Sequence, residues 1–403
     1  MKKALSILLA LVMTLSLAAC GGESSSSGGS DDEAALFSQG LLSVCIDGRW
    51  GYINESGELV INPQFDNAYR FDDNGLARVC IDDKWGYIDT EGNYVINPQF
   101  DAVSDFAGNG LALVNSGDLY GYIDEEGSYV INPQFDFAFS FADNGLALVE
   151  SNGRYGYIDE TGSYVINPQF DDAYDFADNG LALVESGERY GYIDEEGNYV
   201  INPQFDDASS FAGNGLAAVA SGDLYGYIDE KGSYVINPQF DFASAFADNG
   251  LALVRSGDLY GYINEEGSYV INPQFDYAQS FYDGELAIVQ LGEKYGVINA
   301  EGSYVINPSY DDLGGPDSSD LFYFVNSEGK IGFINMQGEE VIPAQFDSLY
   351  SFMTYQSGFY SDGYTVVCID GQMGVIDDSG NYLINPQYEG LNGITAPAVS
   401  TAW

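Results

Sequence analysis

Trp50-Gly51 returns at Trp85-Gly86, then as Tyr-Gly beginning at Tyr120, Tyr155, Tyr190, Tyr225, Tyr260 and Tyr295, each step 35 residues long. A fixed period of that length marks a repeat architecture, in which one supersecondary unit recurs and is stable only against its neighbours. Two degenerate copies follow at Ile331-Gly332 and Met373-Gly374, after spacings of 36 and 42 residues, which makes ten copies. The ninth and tenth carry insertions around Asp311 to Asp320 and Phe352 to Gly363, as terminal copies of an array do.

The third copy shows the local signals. Gly110-Leu111-Ala112-Leu113-Val114 predicts a short strand, and Leu119-Tyr120-Gly121-Tyr122-Ile123 a second, rich in aromatic and β-branched residues. Asp124-Glu125-Glu126-Gly127 supplies a tight turn, and Tyr129-Val130-Ile131 returns as a third strand. Asn132-Pro133 is expected to end it, because proline offers no donor to a ladder. Phe135, Ala138 and Phe141 then fall in a connecting segment that plugs the gap to the next unit. The expected fold class is all-β: about ten three-stranded antiparallel meander units in an open superhelical or solenoid-like array, with β-propeller-like rings as the alternative, since ten modules make a wide single propeller.

Ahead of the repeats, Lys2 and Lys3 precede an apolar stretch, Ala4 to Ala19, ending in Leu17-Ala18-Ala19-Cys20. A charged start, a short apolar middle and small residues at the end describe a secretory signal, too short for a spanning helix. The terminal cysteine resembles the bacterial lipobox. That resemblance implies a lipid on Cys20, removal of residues 1–19, and a protein held outside the cytoplasm on a bacterial membrane or cell surface by its acyl chains. Residues 20–35 read as the lipidated cysteine and a Gly/Ser/acidic tether, with a reach of about 20 Å. The array is placed at 36–390, and 391–403 as a C-terminal cap or tail.

Charge narrows the partners. The chain has 12 Lys plus Arg against 62 Asp plus Glu, and losing Lys2 and Lys3 with the signal takes the net charge from -50 to -52. Such a field repels nucleic acid, so no nucleic-acid partner is expected. The acids spread through every copy, which suits a solubilising surface. Cys45, Cys80 and Cys368 each stand five residues before their dipeptide, where other copies carry Asn115, Glu150, Glu185, Ala220, Arg255 and Gln290. That tolerance predicts a solvent-facing position and free thiols, and stability from packing instead of disulfides.

Lys84-Trp85-Gly86-Tyr87-Ile88-Asp89, the Gly92 turn, Val95-Ile96-Asn97-Pro98-Gln99-Phe100-Asp101 and Gly110-Leu111-Ala112 together resemble the bacterial WG-containing repeat, also called the KWG repeat. The resemblance extends from about Leu36 to Tyr388. Most copies here put tyrosine in place of the name-giving tryptophan. The resemblance implies a β-rich repeat in bacterial, often surface, proteins and brings no catalytic residues with it.

Two surfaces offer binding residues. The dipeptide itself reads as packing, since a residue without a side chain lets a neighbouring backbone approach. A ladder of rings stacking on sugars is the alternative, and Tyr122 and Tyr129, beside the hairpin turn, are its expected exposed contacts. Comparison among copies points elsewhere. Seven copies, from Ile61 to Ile271, keep Ile-Asn-Pro-Gln-Phe-Asp unchanged, whereas Phe137, Phe139 and Ser140 become Asp172, Tyr174 and Asp175 one copy later. Phe137, Phe139 and Tyr174 are therefore candidate ligand contacts. Catalysis is not expected: there is no histidine, and carboxylate pairs such as Glu125 and Glu126 recur at turn tips. No cofactor is expected. Low-affinity calcium stays an alternative, although no copy has EF-hand spacing. The expected function is a non-catalytic surface lipoprotein acting as an adhesion, scaffold or protein-binding module, with carbohydrate or cell-wall binding as the alternative.

Overall fold

The computed structural model describes residues 35–282, 284–315, 320–349 and 360–395, and among them every regular element is a β-strand. Cys20 and residues 396–403 lie outside the described residues. The strands form ten antiparallel sheets. The third shows the pattern: Ala102–Phe106, Ala112–Ser116, Leu119–Ile123 and Tyr129–Phe135 lie side by side in chain order. Nine of the sheets have four strands and one has five; each is a blade of the kind β-propellers are built from, numbered here 1 to 10 along the chain, with its strands called first to fourth.

Two expectations are corrected by this pairing. The units are four-stranded blades and not three-stranded meanders in a superhelical or solenoid-like array. The segment read as a connection supplies the missing strand: Phe137–Ala138 pairs with Val149 and Glu150 and opens blade 4. Around it Asp136 donates its N–H to the Glu150 carbonyl at 3.0 Å and Phe139 to Leu148 at 3.0 Å. Blade 1 takes its first strand from the far end of the chain, where Gly390–Leu391 pairs with Val44 and Cys45. Joining first and last segments in one sheet is what an open solenoid lacks.

Nor does the proline end its strand. Tyr120 lies opposite Phe135 and Tyr122 opposite Ile131, so three residues, Asn132-Pro133-Gln134, bulge out across from Gly121 alone. The strand sits at the sheet edge, where a missing N–H is tolerated, and it resumes beyond the bulge. The bulge arches over the glycine. A β-carbon at Gly121 would fall 2.6 Å from both the Ile131 carbonyl oxygen and the Pro133 nitrogen, so no side chain fits there. The same close approach recurs at Gly156, Gly191 and Gly261. The period-35 glycine and the Asn-Pro pair that begins eleven residues on are thus two halves of one joint.

The chain forms two compact units, one made of residues 170–289 and 299–303, the other of the remaining described residues. Within each, the core lies between blades. In the larger unit, Leu111, Tyr122, Ile131 and Phe135 of blade 3 pack with Ala138, Phe141, Ala147, Val149 and Ile158 of blade 4. There too, Leu42, Val44 and Ile53 of blade 1 share a core with Val375, Ile384 and Tyr388 of blade 10. In the smaller unit, Tyr227, Ile236 and Phe240 of blade 6 pack with Phe246, Val254 and Ile263 of blade 7. Each blade is a thin sheet with no core of its own, so a lone copy cannot fold.

Hydrogen bonds tie the same seams. Tyr122 is fully buried and donates its hydroxyl to the Phe139 carbonyl of the next blade at 2.6 Å; Tyr87 does so to Ser104 and Tyr227 to Ser244, both at 2.7 Å. Gly127, at φ 81°, turns the hairpin of blade 3 and rests against Ile96 of blade 2. A β-carbon at Gly127 would sit 3.1 Å from that isoleucine's side chain.

Gly121→Ala is expected to destabilise the protein by about 1–3 kcal/mol through overpacking against backbone. Gly108→Ala, where a β-carbon meets nothing within 4 Å, should stay within about 0.5 kcal/mol of the parent. Urea denaturation of both variants checks this; equal midpoints would remove the joint.

Candidate functional site

The copy-to-copy variation falls on the first strands. In blade 4, Phe137 stands opposite Glu150, which in turn stands opposite Tyr155 of the repeated dipeptide. Blade 5 puts Asp172, Glu185 and Tyr190 in these places, blade 6 Asp207, Ala220 and Tyr225, and blade 7 Phe242, Arg255 and Tyr260. Directly opposed residues share a sheet face. Blades 4 to 7 therefore each carry a cross-strand row whose third member is a half-buried aromatic ring and whose first two members change.

Rings join these rows from blade to blade. Tyr120 lies 5.2 Å from Phe137, centroid to centroid, and Phe137 lies 5.0 Å from Phe139. In the smaller unit Tyr225, Phe242, Tyr260 and Tyr277 follow one another at 6.2, 6.5 and 6.1 Å. The dipeptide ring thus packs against the first strand of the next blade while its edge stays accessible. Phe137 and Tyr174 are half-buried and Phe139 is 41% exposed, so the variable candidates lie at this surface.

The two hairpin tyrosines divide. Tyr122 is buried, with none of its surface exposed, and its hydroxyl is committed to a backbone carbonyl, so its expected exposure is overturned. Burial also pushes its phenol far above the ordinary range. Tyr129 is 41% exposed, but its ring meets Phe100 of blade 2 edge-on at 6.0 Å. Nearness to the hairpin turn misled here: Tyr122 lies on the strand before the turn, where the inter-blade seam covers it, while Tyr129 lies on the edge strand after it.

The cysteines are a second correction. Cys45, Cys80 and Cys368 are free, as expected, but buried and not solvent-facing. They occupy the middle place of the row, opposite Trp50, Trp85 and Met373, where bulky neighbours cover a small side chain. Burial raises all three thiols above their ordinary value.

Acidic groups fall into two kinds. The aspartate after each Asn-Pro-Gln-Phe run caps the next hairpin: Asp101 accepts from the Gly117 N–H at 2.7 Å and pairs with Lys84 at 2.5 Å. Lys84, the first letter of the lysine-Trp-Gly motif, thereby has its partner, and Asp101 is held below the usual carboxylate range by Lys84 first and Gly117 second. Arg189 with Asp206 and Lys294 with Asp311 repeat the pair at 2.5 Å. On the first strand of blade 5 the opposite holds. Burial raises Asp175 above the usual range, and burial raises Asp172 too, although it accepts the Ala173 N–H. Glu185, opposite Asp172, is raised by burial and then by that neighbour's charge. Among the described residues no three acidic side chains converge into a cluster that holds a metal.

Sequence comparison agrees with the joints. The WG containing repeat profile matches residues 50–85, 85–120, 120–155, 155–190, 190–225, 225–260, 260–295, 295–330 and 331–372. The chain belongs to the WG containing repeat family. Among curated proteins, none matches it in sequence. Solved structures with a similar trace include a eukaryotic initiation factor, at 10% identity and TM-score 0.49, covering 77% of this chain and 96% of that one. BamB from Moraxella catarrhalis aligns at 12% identity and TM-score 0.36, over 68% of this chain and 93% of its own. Virginiamycin B lyase from Staphylococcus aureus aligns at 14% identity and TM-score 0.31, over 59% and 91%. Likenesses this distant say nothing of what the WG-repeat chain binds.

The raised carboxylate gives a signed prediction. Asp175 has a folded value above its unfolded value of about 3.9, so its charge costs stability increasingly as pH rises from the unfolded to the folded value, and fully above that. Asp175→Asn should raise the urea midpoint at pH 7, and the gain should vanish below about pH 3.9. A midpoint lowered at pH 7 would contradict the unpaired, desolvated reading.

Proposed function

We propose that this WG-repeat protein is a non-catalytic binding or scaffold module, carried outside the cytoplasm on a lipid anchor at Cys20, and that its ligand is a protein. One observation carries the binding part. Within the unchanged Ile-Asn-Pro-Gln-Phe-Asp run the isoleucine and phenylalanine are buried in the seams, as Ile131 and Phe135 are, while the changing residues Phe137, Phe139, Asp172, Tyr174 and Phe242 share the partly exposed first-strand surface. A scaffold held constant beneath a varied surface is how repeat proteins tune recognition. Exposed rings and half-buried carboxylates suit a protein with apolar and basic side chains. The non-catalytic reading rests on the lack of histidine and on carboxylate pairs such as Glu125 and Glu126 recurring at exposed turns.

A carbohydrate ligand is the second reading. It is favoured by the exposed Tyr-Val pairs of the fourth strands, Tyr94-Val95, Tyr129-Val130 and Tyr164-Val165 among them, which recur at the sheet edges. The anchor rests on the lipobox-like Leu17-Ala18-Ala19-Cys20 and the polar stretch after it.

Beads carrying the mature chain should capture a protein from envelope or host-surface fractions, with binding that weakens as salt rises and survives added oligosaccharide. Replacing Phe137 and Phe139 with serine should lower capture without unfolding the protein. Loss of capture to soluble oligosaccharide alone would favour the carbohydrate reading. In a bacterial host, a fatty-acid label should enter the protein and be lost in Cys20→Ser; labelling that persists contradicts the anchor.

A further inference from the structure

We propose that Arg255, with the rings of Phe242, Tyr260 and Tyr277, forms a receptor for one carboxylate of a polypeptide ligand, an Asp or Glu side chain or a chain end, presented beside an apolar or aromatic side chain. The inference deepens the protein-binding reading and rests on it.

Arginine is scarce here, in a chain with 12 basic and 62 acidic residues, and most such groups have acidic partners. Arg49 pairs with Asp66, Arg78 with Asp105, Arg189 with Asp206 and Lys330 with Asp347. Arg255 does not: among the described residues no carboxylate lies within ion-pair distance of it, and its buried Nε has no hydrogen-bond partner. The Nε of Arg78 also lacks an aligned hydrogen bond, but it has Asp105 at 2.6 Å.

Its surroundings are aromatic. Phe242 stands opposite Arg255 on the first strand and Tyr260 on the third, with the guanidinium carbon 6.0 Å from the Tyr260 ring centroid. Tyr277 of the next blade, 40% exposed, closes the run. A desolvated donor left without a partner costs free energy that an incoming acceptor recovers. The planar guanidinium fork matches a carboxylate, and the rings cover an apolar neighbour of that carboxylate. The net charge of -50 opposes an acidic polymer, so the group is a single carboxylate within a polypeptide.

The test is a titration of the full chain followed through the Arg255 Nε–H signal, assigned by its loss in Arg255→Lys. The probes are N-acetylphenylalanine, its primary amide, and glucuronate. The carboxylate should shift this signal and the ring signals of Tyr260 saturably, the amide should bind about ten- to hundredfold more weakly, and Arg255→Gln should abolish the Tyr260 ring shift while keeping the parent amide spectrum. Equal responses to acid and amide, or no response to either, overturn the proposal. A stronger response to glucuronate assigns the site to an acidic sugar and overturns it too. Undiminished protein capture by Arg255→Gln removes this site while leaving the protein-binding reading standing; absence of any captured protein fails that reading instead.

Discussion

The rest of the structure hangs on the contact between a glycine and the backbone of the strand beside it. At Gly121 the space a β-carbon would take is filled by the Ile131 carbonyl and the Pro133 nitrogen. That contact lets three residues oppose one, so Ile131 and Phe135 both reach the core although a bulge lies between them. The chain then enters the next blade two residues after Phe135, close enough for Phe137 and Ala138 to pair there. Tyr122, one place past the glycine, fixes the arrangement by donating its hydroxyl to that next first strand. Bulge, burial and seam are consequences of one missing side chain, repeated every 35 residues.

Much of this was legible. Period, strand signals and turn glycines follow from local chemistry, and the packing role of the dipeptide follows from the size contrast between its two residues. The first strand of each blade was not legible, because only two residues of it pair in blade 4 and the proline ahead of it reads as an ending. Partnering of the chain's end with Val44 and Cys45 is non-local, and no pattern within Gly390-Leu391 announces it. Exposure at the candidate site was half legible. Tyr122 and Tyr129 look alike in sequence, but a seam between blades covers one and leaves the other at an edge. Arg255 could have been noticed as a cation where other copies hold acids, amides or small residues; its unpaired state required the structure.

Division of labour among the residues separates a recurring frame from a varied surface. Isoleucine, phenylalanine and tyrosine side chains of the joints and seams, such as Ile131, Phe135 and Tyr122, are withdrawn from solvent. The first strand and the middle place of each row carry little of that structural work, so Phe137, Asp172, Asp207 and Phe242 succeed one another on one backbone frame. Asp175 on a first strand, raised by burial, and Arg255 on a second, whose buried Nε has no hydrogen-bond partner, are polar groups left unsatisfied beside this frame.

Amide hydrogen exchange at Asp136 and Phe139 tests the four-stranded blade most directly. Their N–H groups bond to the Glu150 and Leu148 carbonyls only if the segment after the proline bulge is a strand. Protection comparable to that of the second strand, Ala147–Ser151, is the predicted result. Exchange at the rate of an unstructured connection would contradict the account.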